Sequence, residues 1–131
     1  MKLIIGGYAQ GRLAYVMQRY SLTEEDVWDA AKESISSWKG QRVIYHAESL
    51  VSGWLNEGKN PCKACIELLP QWKDTILITQ EVGCGLVPLK AKQREWREVV
   101  GRFNTLLAEN SDTVERICCG LSMRIKGTAV E

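Results

Sequence analysis

Short apolar runs alternate with helical patterns along this chain, and the alternation limits the folds that it can adopt. Strands that alternate with helices pair in parallel, and the connecting helices cover both faces of the sheet. The sequence therefore predicts a three-layer α/β fold with a mainly parallel sheet. Strands are predicted at 2–6, 42–46, 74–79 and, as the last strand, 113–119; helices are predicted at 13–20, 48–56, 60–70 and 90–109. Residues 21–28 fit either a capped helical turn or a short strand, and both alternatives stay open.

The composition is that of an ordinary globular protein. The 131 residues have the size of one domain, which we assign to 1–131. The 17 basic and 16 acidic residues give a net charge of +1, so no global field favours a nucleic acid or a membrane surface as a partner. No apolar run approaches the roughly 18 residues of a spanning helix, and the start MKLIIGG is too short for a signal peptide. Five cysteines, an odd number, favour a reduced, cytoplasmic setting.

The first predicted strand leads into a glycine-rich turn. Residues 6–13 read G-G-Y-A-Q-G-R-L, with the spacing of the phosphate-binding P-loop, G-x-x-x-x-G-K-[ST], between a strand and a helix. Glycines let the backbone aim N–H groups at phosphate oxygens near the positive end of a helix. The candidate nucleotide-binding residues are Gly6, Gly7, Tyr8, Ala9, Gln10, Gly11, Arg12 and Leu13.

Two residues of this turn depart from the P-loop pattern. Arg12 stands in place of the lysine; it keeps the positive charge but is longer and planar. Leu13 stands in place of the serine or threonine whose hydroxyl binds Mg²⁺, so the need for Mg²⁺ stays open. A tight strand-to-helix turn without a ligand is the alternative interpretation, and residues 6–13 alone do not decide between the two.

Three segments of the second half carry a family resemblance. Residues 78–88 read I-T-Q-E-V-G-C-G-L-V-P, close to T-N-E-V-G-x-G-[IL]-V-P. Residues 94–104 read R-E-W-R-E-V-V-G-R-F-N, close to F/Y-R-D-x-x-G-R-x-N, and residues 114–126 end in a G-[IL]-x-x-x-[IL]-K pattern. Together with residues 2–20, these segments resemble the adenosylcobinamide kinase / adenosylcobinamide-phosphate guanylyltransferase family of cobalamin biosynthesis.

The resemblance implies a P-loop NTPase-like fold that binds a purine nucleotide, GTP or ATP, at residues 6–13, and a corrinoid, adenosylcobinamide. It also implies a homo-oligomer, with a trimer as the expected state. Family members phosphorylate adenosylcobinamide and then transfer GMP from GTP through a guanylylated histidine. Residues 21–42, where the family keeps that histidine, contain none. The altered P-loop and the lack of an aspartate at the end of the 43–46 strand predict weak or absent kinase activity. The alternative is an inactive nucleotide- or corrinoid-binding regulatory protein on the same scaffold.

Ligands of such sheets bind at the carboxyl ends of strands, here the loops 6–12, 46–49, 80–88 and 119–122. His46, the single histidine, is a candidate phosphate contact, base or phosphoryl acceptor, or a hydrogen-bonded histidine without such a role. The acidic residue that ends the family's second motif strand aligns near His46, and Glu48, two positions on, is its candidate replacement or a first-turn glutamate. Glu81 is a candidate to hold a ribose, a base edge or a metal-bound water. We expect no covalent intermediate on His46.

The remaining unusual positions are given structural interpretations. Cys62 and Cys65 form a C-x-x-C without a second pair at zinc-ligand spacing, so they are predicted to pack in the core, and no metal site is predicted. Cys118 and Cys119 are predicted to pack on opposite faces of a strand. Gly101 lies inside a predicted helix, where glycine costs about 1 kcal/mol relative to alanine. A close helix–sheet or subunit approach is predicted there.

Overall fold

The computed structural model of the protein describes residues 1–7, 10–81 and 90–127. The strands are β1 (Lys2–Gly6), β2 (Val27–Asp29), β3 (Val43–Tyr45), β4 (Ile76–Gln80), β5 (Thr113–Cys118) and β6 (Leu121–Lys126). The helices are α1 (Arg12–Arg19), α2 (Ser49–Asn56), α3 (Pro61–Leu68) and α4 (Ala91–Asn110), with 3₁₀ turns at Glu24–Asp26, Ile35–Ser37 and Leu69–Trp72. In the described ranges the strands form one sheet in the order β2-β3-β4-β1-β5-β6. The pairs β2–β3, β3–β4, β4–β1 and β1–β5 are parallel, and β5–β6 is antiparallel.

Helices cover both faces of this sheet. α1 lies on one face, where Val16 is buried in a cluster with Ile78. α2, α3 and α4 lie on the other face, where Trp54 and Phe103 are buried in a second cluster with Leu77. Leu77 and Ile78 are consecutive in β4 and point to opposite faces, as the two-residue period of a strand requires. The predicted three-layer, P-loop NTPase-like α/β fold with a mainly parallel sheet is confirmed.

The open segment 21–28 contains both of the alternatives that the sequence allowed. Glu24–Asp26 form a 3₁₀ turn, in which the Asp26 carboxylate accepts a hydrogen bond from the Thr23 N–H at 2.9 Å. The next three residues form β2, which pairs with β3 at the edge of the sheet. This short strand places Asp29 at a strand end, a position that sequence periodicity did not predict.

The prediction that 113–119 is the last strand is wrong. β5 ends at Cys118, and the chain turns back through Cys119 and Gly120, with φ values of 54° and 76°, to form β6. The apolar residues of β6, Leu121, Met123 and Ile125, are 72%, 50% and 61% exposed. The strands were predicted from continuous apolar runs that become buried. In β6 single apolar residues alternate with polar ones and are exposed, so this criterion did not predict the hairpin.

A buried carboxylate joins β6 to the rest of the fold. Glu115 on β5 is 2% exposed and accepts hydrogen bonds from the hydroxyls of Tyr15 and Ser122. Nη2 of Arg124 lies 3.4 Å from its Oε1. Burial raises the pKa of Glu115, but the two hydrogen bonds and the arginine charge outweigh burial and leave the pKa below its usual value. The group is therefore stabilised as a charged acceptor between α1, β5 and β6.

The C-x-x-C of α3 packs as predicted at its second position. Cys65 is fully buried in the cluster of α2, α3 and α4, and Cys62 is half-buried. Burial raises the pKa of the Cys65 thiol to about 12. Metal binding and redox exchange both use the thiolate, so this thiol is poorly suited to either.

The prediction of a close helix–sheet approach at Gly101 is wrong. A Cβ atom built on Gly101 would meet no described heavy atom within 4 Å. The residue lines an open groove of about 560 Å³ between α3 and α4, whose lining includes Cys62, Ile66 and Arg102. The described residues therefore give no reason for a glycine here, and the subunit alternative stays untested.

We expect Gly101→Ala to stabilise the isolated chain. The new methyl group meets open space, and alanine lowers the entropy that the helix interior loses on folding, so the free energy of unfolding should rise by about 0.5–1 kcal/mol. Urea unfolding at low protein concentration measures this change. A loss of stability would contradict the open space that the described structure shows around residue 101.

Candidate functional site

The candidate residues of the chain gather at the carboxyl ends of the parallel strands, which we call the carboxyl edge. The register places Gly6 beside Gln80 of β4 and beside Ile117 of β5. Asp29 and Tyr45 pair at the ends of β2 and β3. Strand ends at the same edge of a parallel sheet form the usual ligand crevice of α/β folds. The first turn, His46, Glu48 and Glu81 all lie at this edge.

The glycine-rich segment forms the strand-to-helix turn that its spacing predicts. β1 ends at Gly6 and α1 begins at Arg12. A Cβ atom on Gly6 would lie 2.7 Å from the carbonyl oxygen of Ile117, so only glycine fits there without a shift. Gly11 has a φ of 82°, the left-handed region that favours glycine. Tyr8 and Ala9 lie outside the described residues.

The tip of the β5–β6 hairpin holds the turn from one side. The Gln10 carbonyl accepts a hydrogen bond from the Gly120 N–H at 3.0 Å. The side-chain oxygen of Gln10 accepts another from the Cys119 N–H at 2.7 Å. Cys118 and Cys119 are both exposed at this tip, and β5 ends at Cys118, so the prediction that they pack on opposite faces of a strand is wrong. Their backbone, rather than their thiols, contributes to the site.

Arg12 lies inside the fold, although it occupies the position of the P-loop lysine. It is only 6% exposed, and its Nη1 donates a hydrogen bond to the Thr79 carbonyl at 2.6 Å. The stem of its side chain passes within 3.3 Å of the Cβ position of Gly6. The guanidinium therefore connects the start of α1 to the end of β4. Leu13 is half-buried against the cluster beneath α1.

The start of α1 keeps the features of an anion site. Its N-cap is Gly11, whose lack of a side chain leaves the first amide groups without a side-chain cap. No acidic residue lies in the first turn of the helix. Backbone N–H groups at a helix N-terminus carry partial positive charge and bind phosphate oxygens. The arrangement suits a phosphate next to the first turn.

Two side chains fix the end of β4. Glu48 is 5% exposed, and its Oε1 accepts a hydrogen bond from the Gln80 N–H at 3.0 Å. Asn104 on α4 accepts a hydrogen bond from the Thr79 hydroxyl at 2.8 Å and donates one to the Gln80 carbonyl at 3.1 Å. Sequence reasoning did not assign a role to Asn104, although it ends the G-R-x-N string. Its position one helix turn after Gly101 was the available signal.

Glu81 joins the two strands that flank β1. Its N–H donates to the Gly6 carbonyl at 2.8 Å, and its carboxylate receives a hydrogen bond from Nε of Arg116 on β5 at 3.0 Å. Both side chains are partly exposed. Arg116 was not identified from the sequence, because a single basic residue in a strand gives no motif. The carboxylate of Glu81 thus lies beside the first turn as half of an ion pair.

His46 follows β3 in an unusual backbone conformation. Its φ is 55°, and its ring stacks on Tyr45 with 3.7 Å between ring centroids. Nδ1 lies 2.8 Å from Oδ1 of Asp29 at the end of β2. Asp29 was missed from the sequence because its strand spans three residues. The structure thus places the single histidine at the carboxyl edge beside a carboxylate.

The carboxyl edge does not offer a set of Mg²⁺ ligands among the described residues. Leu13 lacks the hydroxyl of the P-loop pattern. Asp29, Glu48 and Glu81 each already accept hydrogen bonds, from His46, Gln80 and Arg116. Elsewhere in the described ranges, no group of three or more metal-binding side chains lies together. No helix in those ranges is long and apolar enough to cross a membrane.

Comparison with known proteins bears on the identity of this site. The model of the family described as cobinamide kinase / cobinamide phosphate guanyltransferase matches residues 13–125. The chain belongs to this family. The match covers the carboxyl edge except for the turn at residues 6–12, which precedes it.

Two curated relatives match over a shorter segment. The bifunctional adenosylcobalamin biosynthesis protein CobU of Salmonella typhimurium strain LT2 is 39% identical over 51 residues. The protein of the same name from Escherichia coli K12 is 37% identical over 51 residues. Each match covers 39% of this chain but 28% of the relative.

We expect Arg12→Met to destabilise the fold by about 2 kcal/mol, because it removes a buried hydrogen bond from a charged donor to the Thr79 carbonyl. Methionine keeps much of the apolar stem that packs over Gly6. Urea unfolding measures the change. Arg102→Met, at an exposed position of α4, is the matched control and should shift stability by less than about 0.5 kcal/mol. Equal effects of the two substitutions would contradict the role given to Arg12.

Proposed function

We propose that this chain binds a purine nucleotide, GTP or ATP, at the carboxyl edge and acts in cobalamin biosynthesis, with slow or absent phosphoryl transfer. The observation that carries the proposal is the uncapped start of α1 directly after a glycine-rich turn, in a member of this family. The nucleotide phosphates would contact the backbone of residues 6–13, and GTP or ATP is the expected ligand class.

The geometry of the turn supports a phosphate contact. The Gly6 position keeps the backbone close to β5, Gly11 lies in the left-handed region, and this N-cap glycine has no side chain to cap the first amides of α1. A phosphate there would receive several backbone N–H groups at the positive end of the helix dipole. The contacts of Gln10 with the hairpin tip would keep the turn in this shape before the ligand binds.

The same geometry supports slow transfer. A P-loop lysine reaches the terminal phosphates, but the Arg12 guanidinium is buried and donates to Thr79. Leu13 supplies no hydroxyl for Mg²⁺. We therefore propose turnover below the roughly 1 s⁻¹ at which kinases usually begin. No step of the proposed function is assigned to Mg²⁺.

The candidate catalytic residues are His46, Glu48 and Glu81. The positions of Glu48 and Glu81 favour a role in holding the strand ends. Glu48 holds the Gln80 amide, and Glu81 pairs with Arg116, so we propose that both maintain the strand ends around the ligand. His46 is proposed as a substrate contact without a covalent intermediate. The second substrate is proposed to be a corrinoid, since the matched relatives are named for adenosylcobalamin biosynthesis.

The alternative function is an inactive nucleotide- or corrinoid-binding regulatory protein. The burial of Arg12 favours it, because an inward-facing arginine can stabilise the fold without contacting phosphate. Incubation with adenosylcobinamide and GTP or ATP separates the two: a phosphorylated corrinoid favours the enzyme, and binding without product favours the regulatory protein. A homo-oligomer, with a trimer as the expected state, and a cytoplasmic location remain proposals.

We expect Ala14→Glu to weaken GTP binding without weakening the fold. Ala14 is exposed in the first turn of α1, where an added carboxylate favours the helix dipole but repels a bound phosphate. Calorimetric titration should show about tenfold weaker binding, the size of one screened charge–charge contact. Ala14→Gln is the neutral control and should bind GTP like the wild type. Equal affinity of all three chains would contradict a phosphate at this helix end.

A further inference from the structure

We propose that Asp29 and His46 form a subsite that binds a hydroxyl group of the second substrate, with Asp29 as the positioning residue and Nε2 of His46 as the acceptor atom. This inference rests on the proposed function, because it requires a second ligand beside the nucleotide. The carboxylate–imidazole pair belongs to none of the motifs that identify the family in this chain, and Asp29 was not visible as a site residue in the sequence.

The hydrogen bonds around Asp29 determine which ring nitrogen carries the proton. Oδ1 of Asp29 accepts a hydrogen bond from the Ala31 N–H at 2.9 Å and lies 2.8 Å from Nδ1 of His46. An ionised carboxylate only accepts hydrogen bonds, so Nδ1 is the donor. In a neutral imidazole the other nitrogen, Nε2, then has a free lone pair. Asp29 therefore presents Nε2 as an acceptor.

The backbone holds the imidazole in this position at a conformational cost. His46 has a φ of 55°, a region that glycine or asparagine occupies more easily. Its carbonyl accepts the Ser49 N–H at 2.9 Å, and the Ala47 N–H donates to the Ile78 carbonyl at 2.9 Å, which fixes the conformation on both sides. A side chain kept in a strained backbone at a ligand edge is a recurrent sign of function.

The distance from the first turn suits a second ligand rather than the nucleotide phosphates. β4 lies between β3 and β1, and neighbouring strands are about 4.8 Å apart, so the end of β3 lies about 10 Å from the turn after β1. The side chains of His46 and Asp29 are 30% and 18% exposed, which leaves the pair accessible. A neutral imidazole that accepts through Nε2 matches an alcohol O–H, whereas a phosphate oxygen would need a donor.

The tautomer can be measured directly, because the chain has one histidine. Long-range ¹H–¹⁵N correlation spectra, recorded well above the usual titration range of histidine, report which ring nitrogen is protonated. We expect a protonated Nδ1 in the wild type and a loss of this preference in Asp29→Ala, which removes the oxygen that accepts from Nδ1. Asp74→Ala, at an exposed carboxylate away from the ring, is the matched control and should leave the spectrum unchanged. A wild-type ring protonated at Nε2, or an unchanged tautomer in Asp29→Ala, would overturn the proposal.

Binding of the second substrate gives an independent readout. With adenosylcobinamide as the probe, His46→Asn and Asp29→Ala should each weaken affinity about tenfold, the effect of one lost hydrogen bond. The affinity for GTP should change by less than about twofold, since the nucleotide lies at the first turn. His46→Gly removes the imidazole at a backbone conformation that glycine adopts without strain, and this variant should also bind the corrinoid weakly.

The outcomes separate the two proposals. Unchanged corrinoid affinity in all three variants, with GTP binding intact, would overturn the subsite and leave the proposed function standing. A wild-type chain that binds neither adenosylcobinamide nor a nucleotide would overturn the proposed function, and the hydroxyl subsite with it, whatever the tautomer.

Discussion

The buried hydrogen bond from Arg12 to the Thr79 carbonyl joins the start of α1 to the end of β4, and the other contacts of the carboxyl edge are arranged around it. Glu48 and Asn104 bind the neighbouring residue Gln80, and the N–H of Glu81 binds the carbonyl of Gly6. Contacts from α1, the start of α2, α4 and β1 thus meet at residues 79–81. A guanidinium as buried as that of Arg12 needs a hydrogen-bond acceptor, because an unpaired buried charge is costly. The Thr79 carbonyl at the end of β4 is that acceptor.

Much of the fold and the first turn of the site follow from local sequence patterns. The apolar run before Thr79 predicts a buried strand, and β4 is buried between the two helix layers. The glycines at 6 and 11 predict a strand-to-helix turn, which the structure contains next to β5. Asp29 was not predicted as a site residue because a strand of three residues has no measurable period. Its place beside His46 results from the pairing of β2 with β3, which the sequence pattern does not show. The β6 hairpin was not predicted because its apolar side chains are exposed. The close approach predicted at Gly101 was wrong because no described residue lies near it.

Family membership and the local geometry lead to a coherent division of roles. The glycine turn, the helix start and the strand-end contacts fit retained binding, whereas the inward-facing arginine and the missing hydroxyl at Leu13 fit impaired transfer. The match to the curated relatives covers 28% of their length, so their full activity does not transfer by similarity alone. The pair of Asp29 and His46 adds a second polar group about two strands from the turn. Such a spacing suits two ligands that bind side by side.

The most direct test of nucleotide binding at the carboxyl edge is an NMR titration of ¹⁵N-labelled wild-type chain with GTP. The account predicts that the amide signals of Gly7, Gly11, Arg12 and Glu81 shift together and saturate, while those lining the groove between α3 and α4, such as Ile66 and Arg102, stay unchanged. Shifts that cluster in that groove, or no saturable shift at the first turn, would contradict it.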